Sequence, residues 1–201
     1  MPFSVRIDPF NWILQGQLGF ELEAGVTSWL SIETVPVFVV DETPPWLNFG
    51  GGDSRIYQTS GGWGALSGAS LGVNFWPRKL FNGYVIRTGL TNYSMEYETR
   101  TQAGGRVDSA SHVRRQFYLM FGSMNRWGPF TLSGAIGLGY DLNKETRCYP
   151  ANARLGDAKP GDCDEIQIAT PVGSGLAPVA VTPFAYPWDI LGRISLGFVI
   201  D

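Results

Sequence analysis

Few residues in this chain have the types and spacing that catalysis needs, and the best group lies in the segment SASHVRR. It contains Ser109, Ser111 and His112. A hydroxyl near an imidazole suggests a nucleophile with its general base, and the two must lie within hydrogen-bond reach. Successive residues of a strand point to opposite faces, so neither Ser111 nor Ser109 would share the face of His112. We therefore predict that the protein is not an enzyme.

Cys148 and Cys163 are the two cysteines of the chain, and the stretch between them is polar and contains Gly and Pro. This predicts a disulfide that closes a loop if the compartment is oxidising, while two free thiols are the alternative in a reducing one. No Cys-x-x-Cys pair or histidine cluster accompanies them, so we predict neither a metal site nor a cofactor. The acidic residues around Cys163 could bind Ca²⁺ weakly, although solvated loop charge is the better interpretation.

Composition excludes several classes of protein. The chain has 201 residues, 26 glycines, seven tryptophans and a net charge of -3. It is too apolar and aromatic for a disordered chain, and it is poor in the residues that build helices. The charge gives no basic footprint, so nucleic acid is not expected as a partner. It contains no apolar run of eighteen residues and no visible signal peptide, so we expect the leader of an exported protein to lie outside this sequence.

Apolar and polar residues alternate through most of the sequence, which is typical of strands. In TLSGAIGLGYDL the apolar residues Leu132, Ile136 and Leu138 share one face, and the opposite face carries small residues such as Ser133 and Gly137. QLGFELEA and RISLGFVI alternate in the same way. The pattern predicts eight strands, over residues 3–13, 17–25, 29–40, 65–76, 83–97, 112–125, 129–141 and 188–200.

The connections between these strands alternate between short and long. The short turns are 25–28, 77–83 and 125–128, and the long loops are 41–64, 99–111 and 143–187. A hairpin near residues 14–17 is needed to place all long loops at one end; the alternative is one long strand over residues 3–25. With the hairpin, both termini lie at the end of the short turns.

Strands of about ten residues with one apolar face, short turns at one end and long loops at the other are the pattern of transmembrane β-barrels. A closed barrel leaves no strand edge unpaired in lipid. Small inward residues suit eight strands, because the interior of such a barrel is barely wide enough for side chains. We predict an all-β fold over residues 1–201: one eight-stranded antiparallel up-and-down transmembrane barrel with short periplasmic turns and three long extracellular loops.

Six charged residues fall on the face opposite the apolar one, and we predict that they form a salt-bridged network in a plugged lumen. An arginine in lipid would cost about 2–4 kcal/mol at the midplane. The alternative is a soluble barrel with the same charges in solvent, but its many large apolar side chains would then have to fit inside a narrow interior. The six residues are Glu21, Glu23, Glu33, Arg87, Arg114 and Arg193.

Aromatic residues sit beside the short turns and predict an interfacial girdle at that level of the barrel. The predicted girdle consists of Trp29, Trp76, Trp127 and Tyr84. A second group that includes Tyr93, Tyr140 and Trp188 lies near the other level. The alternative is that these aromatics cap the core of a soluble β domain.

The whole chain resembles the small outer-membrane barrels of Gram-negative bacteria, the OmpA/OmpW-like group. The segments that carry the resemblance are GQLGFELEAGVTSWLSIE, LSGASLGVNF, GAIGLGYDL and GRISLGFVID. It implies an outer-membrane location, contact with membrane lipid and lipopolysaccharide, and envelope protein partners that bind the loops 41–64, 99–111 and 143–187. Barrels of this group usually end on an aromatic residue, whereas here Val199, Ile200 and Asp201 follow Phe198.

The sequence is compatible with three functions, and we favour the first. The barrel could be a structural or surface-interaction protein that presents its loops. It could be a narrow channel for small hydrophobic molecules, as in OmpW-like barrels, but the charged inward residues argue against an apolar lumen. It could be a lipid A-modifying enzyme, but SASHVRR does not match the His-x-Ser motif of outer-membrane deacylases.

Overall fold

The computed structural model describes residues 1–9, 17–40, 53–58, 68–100, 106–150 and 187–201. Within these ranges it describes the backbone alone for residues 53–58, 95–100, 106–112 and 144–150. The predicted disulfide between Cys148 and Cys163 and the side chains of Ser109, Ser111 and His112 lie outside what is described.

Eight strands close into an antiparallel barrel, as predicted, and a ninth short strand lies outside the ring. Each strand pairs with its neighbours in the order β1-β2-β3-β5-β6-β7-β8-β9, and β9 returns to β1. The strands are β1 Phe3–Ile7, β2 Gln17–Gly25, β3 Leu30–Val39, β4 Asp53–Gln58, β5 Gly68–Phe75, β6 Gly83–Arg100, β7 Arg106–Trp127, β8 Phe130–Pro150 and β9 Trp188–Ile200.

The antiparallel pairing predicted for the N-terminal hairpin is confirmed, but β1 ends at Ile7 instead of residue 13, and residues 10–16 lie outside what is described. Strand β1 runs antiparallel to β2, with Phe3 opposite Ala24 and Ile7 opposite Phe20. The same short strand pairs with β9 on its other side, so that Phe3 also lies opposite Ile200. The five residues of β1 therefore close the barrel, because they join the first hairpin to the last strand of the sheet.

Three strands continue far past the barrel at the long-loop end, which corrects the predicted loop bounds. Strand β9 begins opposite Tyr140, whereas β8 continues to Pro150, which pairs with Asp108 of β7. At about 3.3 Å per residue, this extension is roughly 30 Å long. Residues 106–111 and 143–150, predicted as loop, are strand, and β4 lies within the predicted loop 41–64 and pairs with the end of β6. The prediction failed because it assigned a strand only where one face was apolar, whereas strands can pair by hydrogen bonds without an apolar face.

The polarity of the barrel is the reverse of that of a water-soluble protein. Glu21 and Ser133 point inward and are 1% and 2% exposed, whereas Ile136 is 64% exposed on the outer surface. The same alternation holds along every barrel strand whose side chains are described. Apolar side chains exposed on the outside include Ile32, Leu71, Val73, Phe75, Leu90, Phe117, Leu119, Phe121, Leu132, Leu138, Ile194, Leu196 and Phe198.

The small inward residues make room for long side chains from neighbouring strands. Tyr118 on β7 lies opposite Gly89 on β6, which lies opposite Gly72 on β5, and the Tyr118 hydroxyl reaches across both glycines. Gln116 covers Gly139 and Arg6 covers Gly197 in the same way. The interior is thus filled by side chains that lie flat against adjacent glycine backbone.

Replacing an inward glycine with alanine should destabilise the barrel, while the same change at an outward glycine should not. A Cβ on Gly89 would lie 2.6 Å from the Cα of Gly72 and 2.7 Å from the Tyr118 hydroxyl. We expect Gly89→Ala to lower the free energy of unfolding by about 1–3 kcal/mol, since overpacking forces neighbours apart. At Gly134 the nearest atom is 3.9 Å away, so Gly134→Ala is the control. Denaturant titrations of both variants measure the difference, and equal effects would contradict this packing.

Candidate functional site

Alternation along five different strands brings six charged side chains together in one layer inside the barrel. We call this layer the lower network, and it contains three arginines and three glutamates. All six side chains are at most 4% exposed. Its members are Arg6 on β1, Glu21 and Glu23 on β2, Glu33 on β3, Arg87 on β6 and Arg193 on β9.

Arg6 is the centre of the lower network. Its Nε donates to Glu21 Oε2 at 2.8 Å, and its Nη2 donates to Glu23 Oε2 at 2.6 Å and to Glu33 Oε2 at 3.1 Å. Its Nη1 donates to the Ser4 hydroxyl at 3.0 Å. One guanidinium therefore ties β1 to both β2 and β3, and its five donors suit this role better than the compact ammonium of a lysine would.

The other two arginines approach the same carboxylates from β6, across the ring from β1, and from β9, which is next to β1. Arg87 Nη1 lies 2.8 Å from Glu33 Oε2, and Arg193 Nη1 lies 2.7 Å from Glu33 Oε1. Arg193 Nε lies 3.7 Å from Glu21 Oε1. Three positive and three negative charges thus balance, which is the condition under which charges can be buried at all.

Neutral polar side chains complete the lower network. Asn74 Nδ2 donates to Glu23 Oε1 at 2.7 Å, and the Ser31 hydroxyl donates to the same oxygen. From β9, Ser195 donates to Glu21 Oε2 at 3.2 Å and lies 2.8 Å from the hydroxyl of Ser133. The carboxylates are therefore held by hydrogen bonds as well as by charge.

The placement of Trp76 in the aromatic girdle is wrong. Trp76 is fully buried inside the barrel, where its Nε1 donates to the Ser31 hydroxyl at 2.8 Å and its ring packs edge-on against Phe81 at 5.7 Å. Alternation contained the signal, because Phe75 faces out and Trp76 therefore shares the inward face of Asn74. Tyr93, assigned to the other aromatic level, is likewise buried inside.

Trp76 belongs to an apolar plug that fills the short-turn end of the lumen. The turn between β5 and β6 inserts Phe81 into the barrel mouth with a φ of 57°, a left-handed conformation that is uncommon for a residue with a side chain. Burial of the ring among its neighbours stabilises that conformation. The plug consists of Trp76, Phe81, Val85, Met124 and Val199, with Leu80 packed against it.

A second charged cluster lies in the lumen towards the long loops. Arg114 forms ion pairs with Asp141 and Asp189, with 2.5 Å between its Nε and Asp141 Oδ1. Gln116 donates to both carboxylates, at 3.2 Å to Asp141 and 2.9 Å to Asp189. Arg114 was predicted to join the other lumen charges, but the structure places it in this separate cluster. Between the two charged layers lies an apolar cluster of Tyr118, Met120 and Leu191.

Sequence reasoning missed Arg6, Asp141 and Asp189, although their positions carried a signal. In SVRID, Val5 and Ile7 face out, which places Arg6 on the inward face with Ser4. Asp141 shares the face of Ser133, Gly137 and Gly139 in the same way. Asp189 follows Trp188, whose outward position implies an inward neighbour.

The other three girdle residues lie on the outer surface beside the short turns. Trp29, Tyr84 and Trp127 are 48%, 69% and 61% exposed. Trp29 packs edge-on against Phe75, with 5.6 Å between ring centroids. At the adjoining rim, Arg126 forms two hydrogen bonds with Asp201 at 2.9 Å and 2.6 Å, which lower the pKa of the exposed Asp201 carboxyl below its usual value.

Neither the described fold nor sequence comparison assigns a chemical activity. In the described part of the chain, no helix is long and apolar enough to cross a membrane, and no cluster of three or more His, Cys, Asp or Glu side chains could hold a metal ion. No protein-family model matches the chain, and no curated protein matches it either. The structure therefore defines a class, the closed eight-stranded antiparallel β-barrel, whose lumen is filled by ion pairs and apolar layers.

Removing the central arginine should destabilise the barrel far more than removing an arginine of the rim. Arg6→Met leaves three buried glutamates with two arginines, so we expect a loss of about 3–5 kcal/mol in the free energy of unfolding. Arg126→Met breaks an exposed pair of the kind that contributes little, and it should leave the unfolding midpoint almost unchanged. Denaturant titration followed by tryptophan fluorescence measures both. A small effect of Arg6→Met would show that its three ion pairs do not stabilise the interior.

Proposed function

We propose that this chain is an integral outer-membrane β-barrel protein with a sealed lumen, which anchors a polar sheet at the surface of a Gram-negative cell. The reversed polarity of the barrel carries the proposal. The charged side chains of its two lumen clusters have partners inside, while most large apolar side chains of its strands face outward. Because water would penalise such an outer surface, hydrocarbon is the environment that suits it.

The spacing of aromatic pairs on β8 and β9 supports the proposal. Phe130 packs against Phe198 at one level, and Tyr140 packs edge-on against Trp188 at the other, with 4.9 Å between ring centroids in both pairs. Ten residues separate the two levels on each strand, which is about 33 Å along the strand. At the usual tilt of 35–45° this corresponds to a height of about 25 Å, the height of the apolar band of outer-membrane barrels.

Polar groups in this band are sparse and partly masked. Between the two aromatic levels, the described outward side chains of the eight strands include no charged residue. Thr34 and Thr88 face outward, and each donates its hydroxyl hydrogen to a backbone carbonyl of the adjacent strand, at 3.1 Å to Ser70 and 3.0 Å to Tyr118. A hydroxyl bonded in this way can face hydrocarbon without an unsatisfied donor.

A sealed lumen favours anchoring and surface interaction over transport. The described interior contains an apolar plug, a charged network, an apolar cluster and a second charged cluster in succession. A channel for hydrophobic molecules would need a continuous apolar path, and these layers interrupt it. The lipid A-modifying enzyme stays the less favoured alternative, since SASHVRR does not match the His-x-Ser motif of outer-membrane deacylases.

The long-loop end is the proposed surface for interaction. Strands β4, β6, β7 and β8 form a sheet there that continues past the barrel. With the termini at the short-turn end, this sheet would face the outside of the cell and the lipopolysaccharide leaflet. Envelope protein partners would contact it and the segments 41–64, 99–111 and 143–187.

Introducing an arginine at mid-height of the outer surface tests whether that surface is surrounded by a bilayer or by water. Ile136 is 64% exposed, so in a water-soluble barrel Ile136→Arg would change stability by less than about 0.5 kcal/mol. In a bilayer the same change at mid-depth should cost about 2–4 kcal/mol, and near the interface at most about 1 kcal/mol. Leu142→Arg is the matched control, because Leu142 is 56% exposed and lies beyond the level of Tyr140 and Trp188. Unfolding titrations in lipid vesicles measure the two costs, and equal small values would contradict the proposal.

Three further measurements test location and sealing. The protein should fractionate with outer membranes, and its folded form should migrate differently on a detergent gel before and after boiling. In planar bilayers the folded protein should give no stable conductance steps. Recovery in the aqueous fraction without a heat-dependent shift would overturn the membrane proposal, and regular conductance steps would favour the channel.

A further inference from the structure

An apolar groove crosses the outer surface of the barrel beside the short-turn end. It has a volume of about 510 Å³, within the range of sites that bind small ligands. One wall is a row of side chains from neighbouring strands, Phe20, Ile7, Leu196 and Leu132.

The other wall is the adjacent row, which is displaced by one strand. It contains Val5, Phe198, Phe130 and Trp127, which pair in register across β1, β9, β8 and β7. The two rows face each other across β1, β9 and β8, which are two strand spacings, so the groove has both walls over roughly 10 Å.

The floor of the groove is backbone. The side chains of Arg6 and Thr131 are buried in the lumen, and Gly197 between them has no side chain. Gly197 is required there, because a Cβ would collide with the backbone of Val5 and Arg6. The closure of the barrel by the short strand β1 and the packing of Arg6 over Gly197 thus create a slot lined by apolar side chains and open to the outside.

A positively charged rim adjoins one end of the groove. Trp127 is the last residue of the wall that begins with Val5. The preceding residue, Arg126, lines a depression of about 410 Å³ at the barrel mouth together with Lys79 and Asp201. Asp201 balances one of these two cations, so the three side chains leave one positive charge in surplus. An apolar slot that ends beside a surplus positive charge complements a molecule with an alkyl chain and an anionic head.

We propose that the groove and its rim bind one anionic glycerophospholipid, with an acyl chain between the two apolar rows and the phosphate beside Lys79 and Arg126. This inference rests on the proposed function, since it requires the short-turn end to face a phospholipid leaflet. The tryptophan at the junction suits it, because its amphipathic ring lies where acyl chains meet headgroups.

Native mass spectrometry of the folded barrel in detergent tests the inference, with dioleoylphosphatidylglycerol and dioleoylphosphatidylcholine as probes. We expect one phosphatidylglycerol to bind in preference to phosphatidylcholine. Lys79→Gln should weaken phosphatidylglycerol binding about fivefold, which corresponds to the contribution of about 1 kcal/mol from one basic side chain near anionic lipid. Arg78→Gln makes the same charge change outside the depression and should retain the affinity.

A second pair of variants tests the groove independently of charge. Val5→Phe fills the slot and should weaken the binding of both lipids, whereas Leu71→Phe adds the same kind of bulk at an exposed site on β5 and should not. Equal binding of the two lipids, or equal effects of Lys79→Gln and Arg78→Gln, would overturn the inference in favour of diffuse lipid contact. Each variant is first checked for its heat-dependent gel shift. A wild-type protein that shows the shift but no lipid preference refutes this inference alone, and one without the shift refutes the proposed function.

Discussion

The charge balance of the lower network is the constraint on which the rest of the structure depends. An eight-stranded barrel has no room for bulk water around its inward side chains, so any charge placed there must find its partner in the same narrow layer. Three arginines and three glutamates meet this condition from five strands, with Arg6 bonded to all three carboxylates. The strand order, the register and the inward face of each strand are therefore coupled. A shift of one residue in any of the five strands would expose a charge on the outer face and leave its partners uncompensated.

The glycines and the outer face follow from the same constraint. Long side chains such as Arg6 and Tyr118 can reach across the lumen only where the adjacent strand has no side chain, and Gly197, Gly72 and Gly89 provide those gaps. With charged, polar and small residues in most inward positions, and a plug and one apolar cluster in the rest, most large apolar residues face outward. The reversed polarity is thus the consequence of filling a narrow interior with ion pairs, and hydrocarbon is the surrounding that such an exterior fits.

Most of the barrel could be predicted from the sequence because alternation reports directly on faces, while the N-terminal hairpin followed from the need to place all long loops at one end. One error arose where a residue was assigned to a face by its position beside a turn and not by alternation along the strand. Trp76 was assigned to the outside because it lies beside a turn, although its neighbour Phe75 already occupies the outer face. The extension of β7 and β8 was missed because strands that lie past the apolar band need no apolar face. The division of the inward charges into two layers could not be predicted, since it depends on how far each strand is displaced along its neighbours.

The layered interior supports the proposal that this barrel anchors a sheet and does not conduct a solute. To open a path through the lumen, Phe81 would have to leave the plug and at least one arginine of the lower network would have to release its carboxylates, and leaving a buried charge unpaired costs about 3–5 kcal/mol. The two ends differ in a way that suits a support. The short-turn end is filled by an apolar plug and has a surplus of positive charge, whereas the long-loop end continues as a sheet of four strands. A closed barrel below an extended sheet would fix the position of that sheet. A wider or hydrated lumen would make the barrel less stiff without improving the contact between the sheet and an envelope protein partner.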